Sequence, residues 1–265
     1  MVNKIVTWIQ DYFLENGDAN TKAVIGISGG KDSTVAAALC AKALGPDRVI
    51  GVLMPNGEQH DIDVAKKVCE YLKIQTKYIN IKDITDTFYE SIGDTIKNNH
   101  IVKTNTPARI RMSILYAIAA VNNGRVVCTD NKSESTIGYS TKWGDNVGDF
   151  APLLDLTATE VVELGRKLEL PNEFIYKAPE DGMTGLTDEE VFGFTYKELD
   201  NYLDGKEINF TSKQKILSMQ KKSNHKRCSV NIPSYKKPAV LCTLNAIGSS
   251  YTSSLCAKAD YCSTY

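Results

Sequence analysis

The stretch Ala23-Val24-Ile25-Gly26-Ile27-Ser28-Gly29-Gly30-Lys31-Asp32-Ser33 decides the architecture of this chain. Ala23–Ile27 is a short apolar run of the kind that makes a buried strand, and Ser28-Gly29-Gly30 stops it in a tight turn. Beyond the turn, Val35, Leu39, Cys40 and Ala43 recur at helical period until Gly45-Pro46 ends the helix. Glycine accepts positive φ and lets the backbone approach a ligand closely. The first amides of the following helix have no partner within it, and the helix dipole favours negative charge there. Ser28 and Ser33 add hydroxyl donors, and Asp32 offers a carboxylate to a magnesium that an anion also binds. The segment is a phosphate cradle with its own metal ligand. It is not a Walker A loop, because Gly30-Lys31 is followed by Asp32 rather than Ser or Thr, and Gly26-x-Ser28 breaks the dinucleotide fingerprint.

Outward from this segment, strand and helix signals alternate. Ile5, Trp8, Ile9 and Tyr12 predict a helix over Lys4–Leu14. Val49–Met54 is a second strand, broken by Pro55-Asn56-Gly57, and Val64, Val68, Tyr71 and Leu72 form one face of the next helix. Lys77–Ile81 is a third strand and Arg125–Thr129 a fourth, ending at Thr129-Asp130-Asn131. Helices are expected over Ile84–Ile96, Ala108–Val121 and Thr159–Leu168. Ala178–Thr187, rich in Gly, Pro and acid, is expected to be a mobile loop. This order predicts an α/β fold: a doubly wound, mostly parallel open sheet with helices on both faces. Residues 1–265 are expected to form a single domain, with 239–265 a Ser, Thr, Cys and Tyr-rich tail lacking clear periodicity.

Composition narrows the function classes. A net charge of −1 supplies no basic field for nucleic acid or an anionic membrane. The apolar runs Val35–Leu44 and Ile114–Val121 are far shorter than the roughly 20 residues that cross a bilayer, and Met1–Tyr12 lacks a signal-peptide pattern. A cytoplasmic protein is expected. Of seven cysteines none forms a CxxC pair, which removes zinc-ribbon and thioredoxin readings; Cys40, Cys69 and Cys128 are expected in the core.

Ser28–Ser33, SGGKDS, resembles the pyrophosphate loop SGGxDS of the N-type ATP pyrophosphatases, which cleave ATP between the α and β phosphates to adenylate an acceptor. Further segments are similar to the NAD synthetase family within that group: Leu53–Asn56, Thr106–Met112 with Leu115-Tyr116, Thr129–Glu134, Gly138–Asp145, Asp149, Tyr176–Pro179, Thr187–Glu189 and His225–Arg227, in the family's order over roughly residues 1–230. The resemblance is to the ammonia-dependent form, since no glutamine-hydrolysing domain is present in these residues. It implies an adenine nucleotide alpha-hydrolase-like fold and a ligase that converts deamido-NAD to NAD. ATP and ammonia are cosubstrates, an NAD-adenylate is the intermediate, and AMP and pyrophosphate are released. It further implies that Gly26, Ile27, Ser28, Gly29, Gly30, Lys31, Asp32, Ser33 and Thr129 bind ATP, with Asp32 and Ser33 catalytic. Asp32 and Glu134 are the implied magnesium ligands, and Arg109, Lys142, Asp149, His225 and Lys226 the implied deamido-NAD contacts. A homodimer is implied, and ammonia arrives free or from a separate source.

Two positions depart from the family pattern. Ala158 stands where a Lys that contacts ATP is usual, and Glu180 where a small hydroxyl residue is usual. Each lost charge-assisted contact costs about 1.5–3 kcal/mol; Lys31 and Lys177 are the nearby cations in sequence terms. Two rival readings stay open at this point. One is a tRNA-modifying ATP pyrophosphatase, for which the chain lacks a basic balance and CxxC. The other is a nucleotide-binding regulatory protein without turnover. His60 and His100 receive no role.

Overall fold

Four parallel strands make one sheet in the order β3-β2-β1-β4: β1 (Lys22–Gly26), β2 (Val49–Leu53), β3 (Gln75–Tyr78) and β4 (Gly124–Val126). The computed structural model describes residues 1–59, 62–176, 187–227 and 234–237. Ala23 pairs with Val49, Lys22 with Gly124 and Ile50 with Gln75. Successive side chains of a strand point to opposite faces, and both faces are apolar. Ala23, Ile25, Ile27, Val49 and Leu53 enter one core, whereas Val24, Ile50, Val52 and Val126 enter another.

The first core is covered by α1 (Val2–Asn16), α2 (Lys31–Leu44) and α3 (Ile62–Leu72). In α1, Ile5, Ile9 and Phe13 lie four apart and are buried. α2 is enclosed along most of its length; its wholly buried Leu39 contributes about 1.5–3 kcal/mol. α3 lies so close to β2 that a Cβ on Gly51 would stand 2.9 Å from Cys69 Sγ. Cys40, Cys69 and Cys128 are buried free thiols, as expected.

The opposite face carries α4 (Lys82–Ile92), the short α5 (Asp94–Lys97) and α6 (His100–Val121). The helix expected over Ile84–Ile96 is interrupted at Gly93, whose φ of +81° ends one helix and starts another. The helix expected from Ala108 begins instead at His100. Asn99 caps it by accepting from the amides of Ile101 (2.9 Å) and Val102 (3.4 Å). Pro107 sits inside α6 without an amide to give to Lys103, and the Tyr89 hydroxyl donates to that carbonyl at 3.1 Å. The third strand runs earlier than its apolar residues suggested. β3 is an edge strand with a polar surface, and the amides of Ile79 and Ile81 continue the ladder to the Leu53 and Pro55 carbonyls. The fourth strand is shorter than expected on its β1 side, because Cys128 turns to bond the carbonyl of Phe150 at 2.9 Å.

The remaining elements are helical: α7 (Lys132–Ile137), α8 (Ala158–Lys167), α9 (Asn172–Ile175), α10 (Asp188–Phe192), α11 (Tyr196–Leu203) and α12 (Phe210–Arg227). Ile137, Phe192, Phe194, Leu199 and Ile216 form a third, smaller core among α7, α10, α11 and α12. Thr157/Glu160, Thr187/Glu190 and Thr195/Glu198 are reciprocal capping boxes that start α8, α10 and α11. The expected loop residues 178–186, and the tail 239–265, lie outside the described residues.

Candidate active site

β1 delivers the chain into the glycine turn at the carboxyl edge of the sheet, where open α/β folds place nucleotides. Gly29 has φ of +84°, a conformation that a side chain would strain. Ser28 and Ser33, expected as donors to an anion, brace the turn itself. Their hydroxyls lie 3.1 Å apart, Ser28 Oγ accepts from the Gly30 amide at 3.2 Å, and Ser33 Oγ donates to the Gly30 carbonyl at 3.1 Å. Thr34 adds a second hydroxyl on that carbonyl at 2.9 Å. The amides of Lys31, Asp32 and Ser33 occupy the first turn of α2, which has no internal acceptors for them. A rigid curl therefore presents a helix N-terminus, the arrangement that holds a phosphate group.

Asp32 and Glu134, 102 positions apart in sequence, converge there. Lys31 Nζ donates to Asp32 Oδ2 at 2.8 Å and lies 4.0 Å from Glu134 Oε1. Asn131, wholly buried, links the two acids. Its Nδ2 donates to Asp32 Oδ1 at 2.9 Å, and its Oδ1 caps α7 by accepting from the Glu134 amide at 3.0 Å. Tyr196 closes the far side with its hydroxyl 2.9 Å from Asp188 Oδ2 and 3.4 Å from Glu134 Oε1. The Lys31 ammonium stands 5.2 Å from the centre of the Tyr196 ring. Asp130, beside Thr129, is buried as well.

These acids exceed the local positive charge. Burial and then the charge of Asp32 hold the Glu134 carboxyl well above the usual carboxylate range, against the pull of Lys31. Asp130 is raised by burial and then by Asp145 and Asp32, and Asp188 by burial. Lys31 stays protonated, because Asp32 and Glu134 outweigh the burial of its ammonium. Among the described residues no group of three or more His, Cys, Asp and Glu is arranged to hold a metal ion. Magnesium, however, takes one or two carboxylates and completes its shell with water and phosphate oxygens. A two-carboxylate donor set with surplus negative charge beside a phosphate turn fits that ion.

A second group lies on the loop after α7. Lys142 Nζ donates to the His225 carbonyl at 2.8 Å, Arg109 Nε to the Lys142 carbonyl at 3.2 Å, and Lys226 Nζ to the carbonyls of Gly138 (2.8 Å) and Ser140 (2.6 Å). Gly138 has φ of +68°, and a Cβ there would fall 2.1 Å from that of Ser223, so α12 is seated directly on this loop. Four of the five residues expected to contact deamido-NAD are thus assembled by α6, α12 and one loop. Asp149 is tied elsewhere. Its carboxylate accepts from the Val126 amide at 2.7 Å and faces the Tyr116 hydroxyl at 3.4 Å, replacing a missing ladder partner of β4.

The family model described as NAD synthase matches residues 1–230. The chain belongs to the NAD synthase family. An NH(3)-dependent NAD(+) synthetase of Thermococcus sibiricus is 40% identical over 243 residues, covering 86% of this chain and 94% of that protein. The solved structure of an NMN synthetase from Francisella tularensis matches with a TM-score of 0.80 at 36% identity, over 88% of this chain and 96% of that one. An NH3-dependent NAD synthetase from Campylobacter jejuni, in complex with the nitrate ion, matches with a TM-score of 0.72 at 28% identity, over 91% and 97%.

Within this family frame, Ala158 is a buried first residue of α8 whose amide donates to Ser133 Oγ at 3.0 Å. Ser133 in turn donates to Asp200 at 2.5 Å, and Asp200 accepts from the Thr159 amide at 2.9 Å. The position is therefore packed in the first turn of α8, directly after the Thr157 cap, and carries no cation. Glu180 and Lys177 lie outside the described residues. Sequence reasoning assigned no role to Asn131, Asp188, Tyr196 or Asp200. The Thr-x-x-Glu patterns at Thr187 and Thr195 are a signal that could have marked the helices carrying the last three, but nothing local marks their partners.

Proposed function

We propose that this chain is a ligase that amidates deamido-NAD to NAD, consuming ATP and ammonia and releasing AMP and pyrophosphate. The observation that carries the reading is the convergence of Asp32 and Glu134 on one ammonium at the mouth of the glycine turn. A carboxylate is a poor electrophile until it has a leaving group. In the first step a nicotinate oxygen attacks the α phosphorus, the bond to the β phosphate oxygen breaks, and pyrophosphate leaves. In the second, ammonia adds to the acyl carbon, the bond from that carbon to the AMP oxygen breaks, and the added nitrogen releases a proton to solvent. The amides of Gly29 and of the first turn of α2 hold the departing pyrophosphate, while Ser28 and Ser33, with the Gly30 amide bonded to Ser28 Oγ, keep that turn curled. Asp32 and Glu134 would hold magnesium, whose chemistry is to offset charge on the phosphate chain. Thr129, half-buried three residues beyond the fourth strand, borders the nucleotide. Arg109, Lys142, His225 and Lys226 hold the dinucleotide, whose pyrophosphate suits cations.

The same reading includes a homodimer and a cytoplasmic location. An apolar hollow of about 500 Å³ between α4 and α6, lined by Ile84, Phe88, Arg109 and Ile110 among others, supports a second copy meeting this face. No helix among the described residues is long and apolar enough to cross a membrane. A second acceptor, nicotinate mononucleotide, is favoured by the likeness to the Francisella tularensis NMN synthetase. The test is incubation with ATP, magnesium and ammonium plus either acceptor, with NAD, nicotinamide mononucleotide, AMP and pyrophosphate quantified. NAD, AMP and pyrophosphate in equal amounts are expected. ATP binding without AMP overturns the enzymatic reading in favour of a regulatory protein; AMP formed only with tRNA assigns a different acceptor.

A further inference from the structure

The cation that the two acids share is already part of the chain. Lys31 is the first residue of α2, so its stem is rooted in the very turn that presents amides to an anion. Its ammonium is boxed by Asp32 Oδ2, Glu134 Oε1 and the Tyr196 ring, with the side chain only 9% exposed. Asn131 fixes Asp32 from behind and Tyr196 fixes Glu134. The oxygens that would ligate a divalent ion are therefore held together by an ammonium standing between them. Two cations cannot share that space. Asp188, the further carboxylate near this ammonium, is engaged by the Tyr196 hydroxyl; with its root at the phosphate turn, the ammonium can instead reach a polyphosphate seated there on its four-carbon stem.

We propose that Lys31 is a resident counter-ion that keeps Asp32 and Glu134 paired before nucleotide arrives and moves to the polyphosphate as the divalent ion enters with it. This rests on the magnesium–ATP part of the proposed function and not on the acceptor. Lys31 thus opposes metal binding in the free protein and favours nucleotide binding, and it couples the two. The missing cation at position 158 gives this handover added weight, since the turn supplies its own.

The test uses the full chain, Mn²⁺ followed by electron paramagnetic resonance, and the non-cleavable α,β-methylene-ATP. In Lys31→Met, Mn²⁺ binding without nucleotide should tighten about three- to tenfold, because a competing charge is gone. Binding of the analogue in EDTA should weaken about tenfold, because a charge-assisted contact is lost. Lys31→Arg, which keeps the charge, should restore weak Mn²⁺ binding and recover most analogue affinity. The opposed signs are the signature. Unchanged or weaker Mn²⁺ binding in Lys31→Met, with Lys31→Arg folded and binding the analogue, overturns the proposal. Neither measurement involves deamido-NAD or ammonia, so that failure would leave the amidation reading standing, whereas AMP-free turnover assays would strike the latter alone.

Discussion

Replacing Asn131 with alanine isolates the link between the phosphate turn and the α7 acid. Asn131 is wholly buried and makes two bonds, one as the α7 cap to the Glu134 amide and one to Asp32 Oδ1. Loss of the cap costs about 1 kcal/mol. Loss of a bond to a charged group costs about 1.5–3 kcal/mol, and the lower end applies because the Asp32 side chain keeps 18% of its surface open to water. The sum, about 2–3 kcal/mol, corresponds to a fall in Tm of about 4–12 °C for a chain of this size. Asn131→Asp separates the two effects. An aspartate retains the cap acceptor but faces Asp32 with an oxygen instead of an N–H, so it should disturb nucleotide-dependent AMP formation as much as alanine while destabilising less near pH 5. The assays are thermal melting by circular dichroism and AMP release at saturating ATP. If Asn131→Ala melts within 1–2 °C of the parent (a bound of roughly half a kcal/mol) and releases AMP at the parent rate, Asn131 does not hold the two acids together.

Asp130 and Gly138 give two further expectations. The folded-state pKa of Asp130 is raised above its unfolded value by burial, Asp145 and Asp32, so folding binds a proton and stability falls as pH rises through the window above the ordinary carboxylate range. Asp130→Asn should therefore melt higher than the parent at neutral pH, with the gap closing as pH falls below that window; a gap independent of pH would remove Asp130 as its source. Gly138→Ala places a Cβ 2.1 Å from that of Ser223 and puts an L-residue at φ of +68°. It should displace α12 with His225 and Lys226, raising KM for deamido-NAD about tenfold or more at a cost of roughly 1–2 kcal/mol in backbone strain. KM for ATP should stay within about twofold, a change of less than 0.5 kcal/mol; an equal rise in both would contradict the separation of the two groups.

Much of the fold was legible in residues taken a few at a time. Ala23–Ile27, the glycine turn and the helix after it form a local unit, because apolar run length, helical period and positive-φ glycines act within about ten residues. Cys40 and Cys69 were readable as core for the same reason. Errors fell where a distant partner decides. β3 is polar because it is an edge, so apolar content misplaced its start; α6 extends eight residues before Ala108 because Tyr89 satisfies the carbonyl that Pro107 leaves open. α12 combines buried Ile216 and Ser223 with a largely charged surface, and its apolar pattern is too weak to announce a helix.

The family pattern in the sequence nominated the residues proposed for the site: the glycine turn, Asp32, Glu134 and the basic residues of α6, α12 and the loop between Gly138 and Asp145. Tertiary structure alone decided that Asn131 binds Asp32 to α7, that Tyr196 and Asp188 back Glu134, that Lys31 stands between the two acids, and that Asp149 serves β4. The reason is physical. Turns and helix periods are set by neighbours along the chain, whereas a carboxylate's partner depends on strand register and helix seating that only the packed molecule fixes.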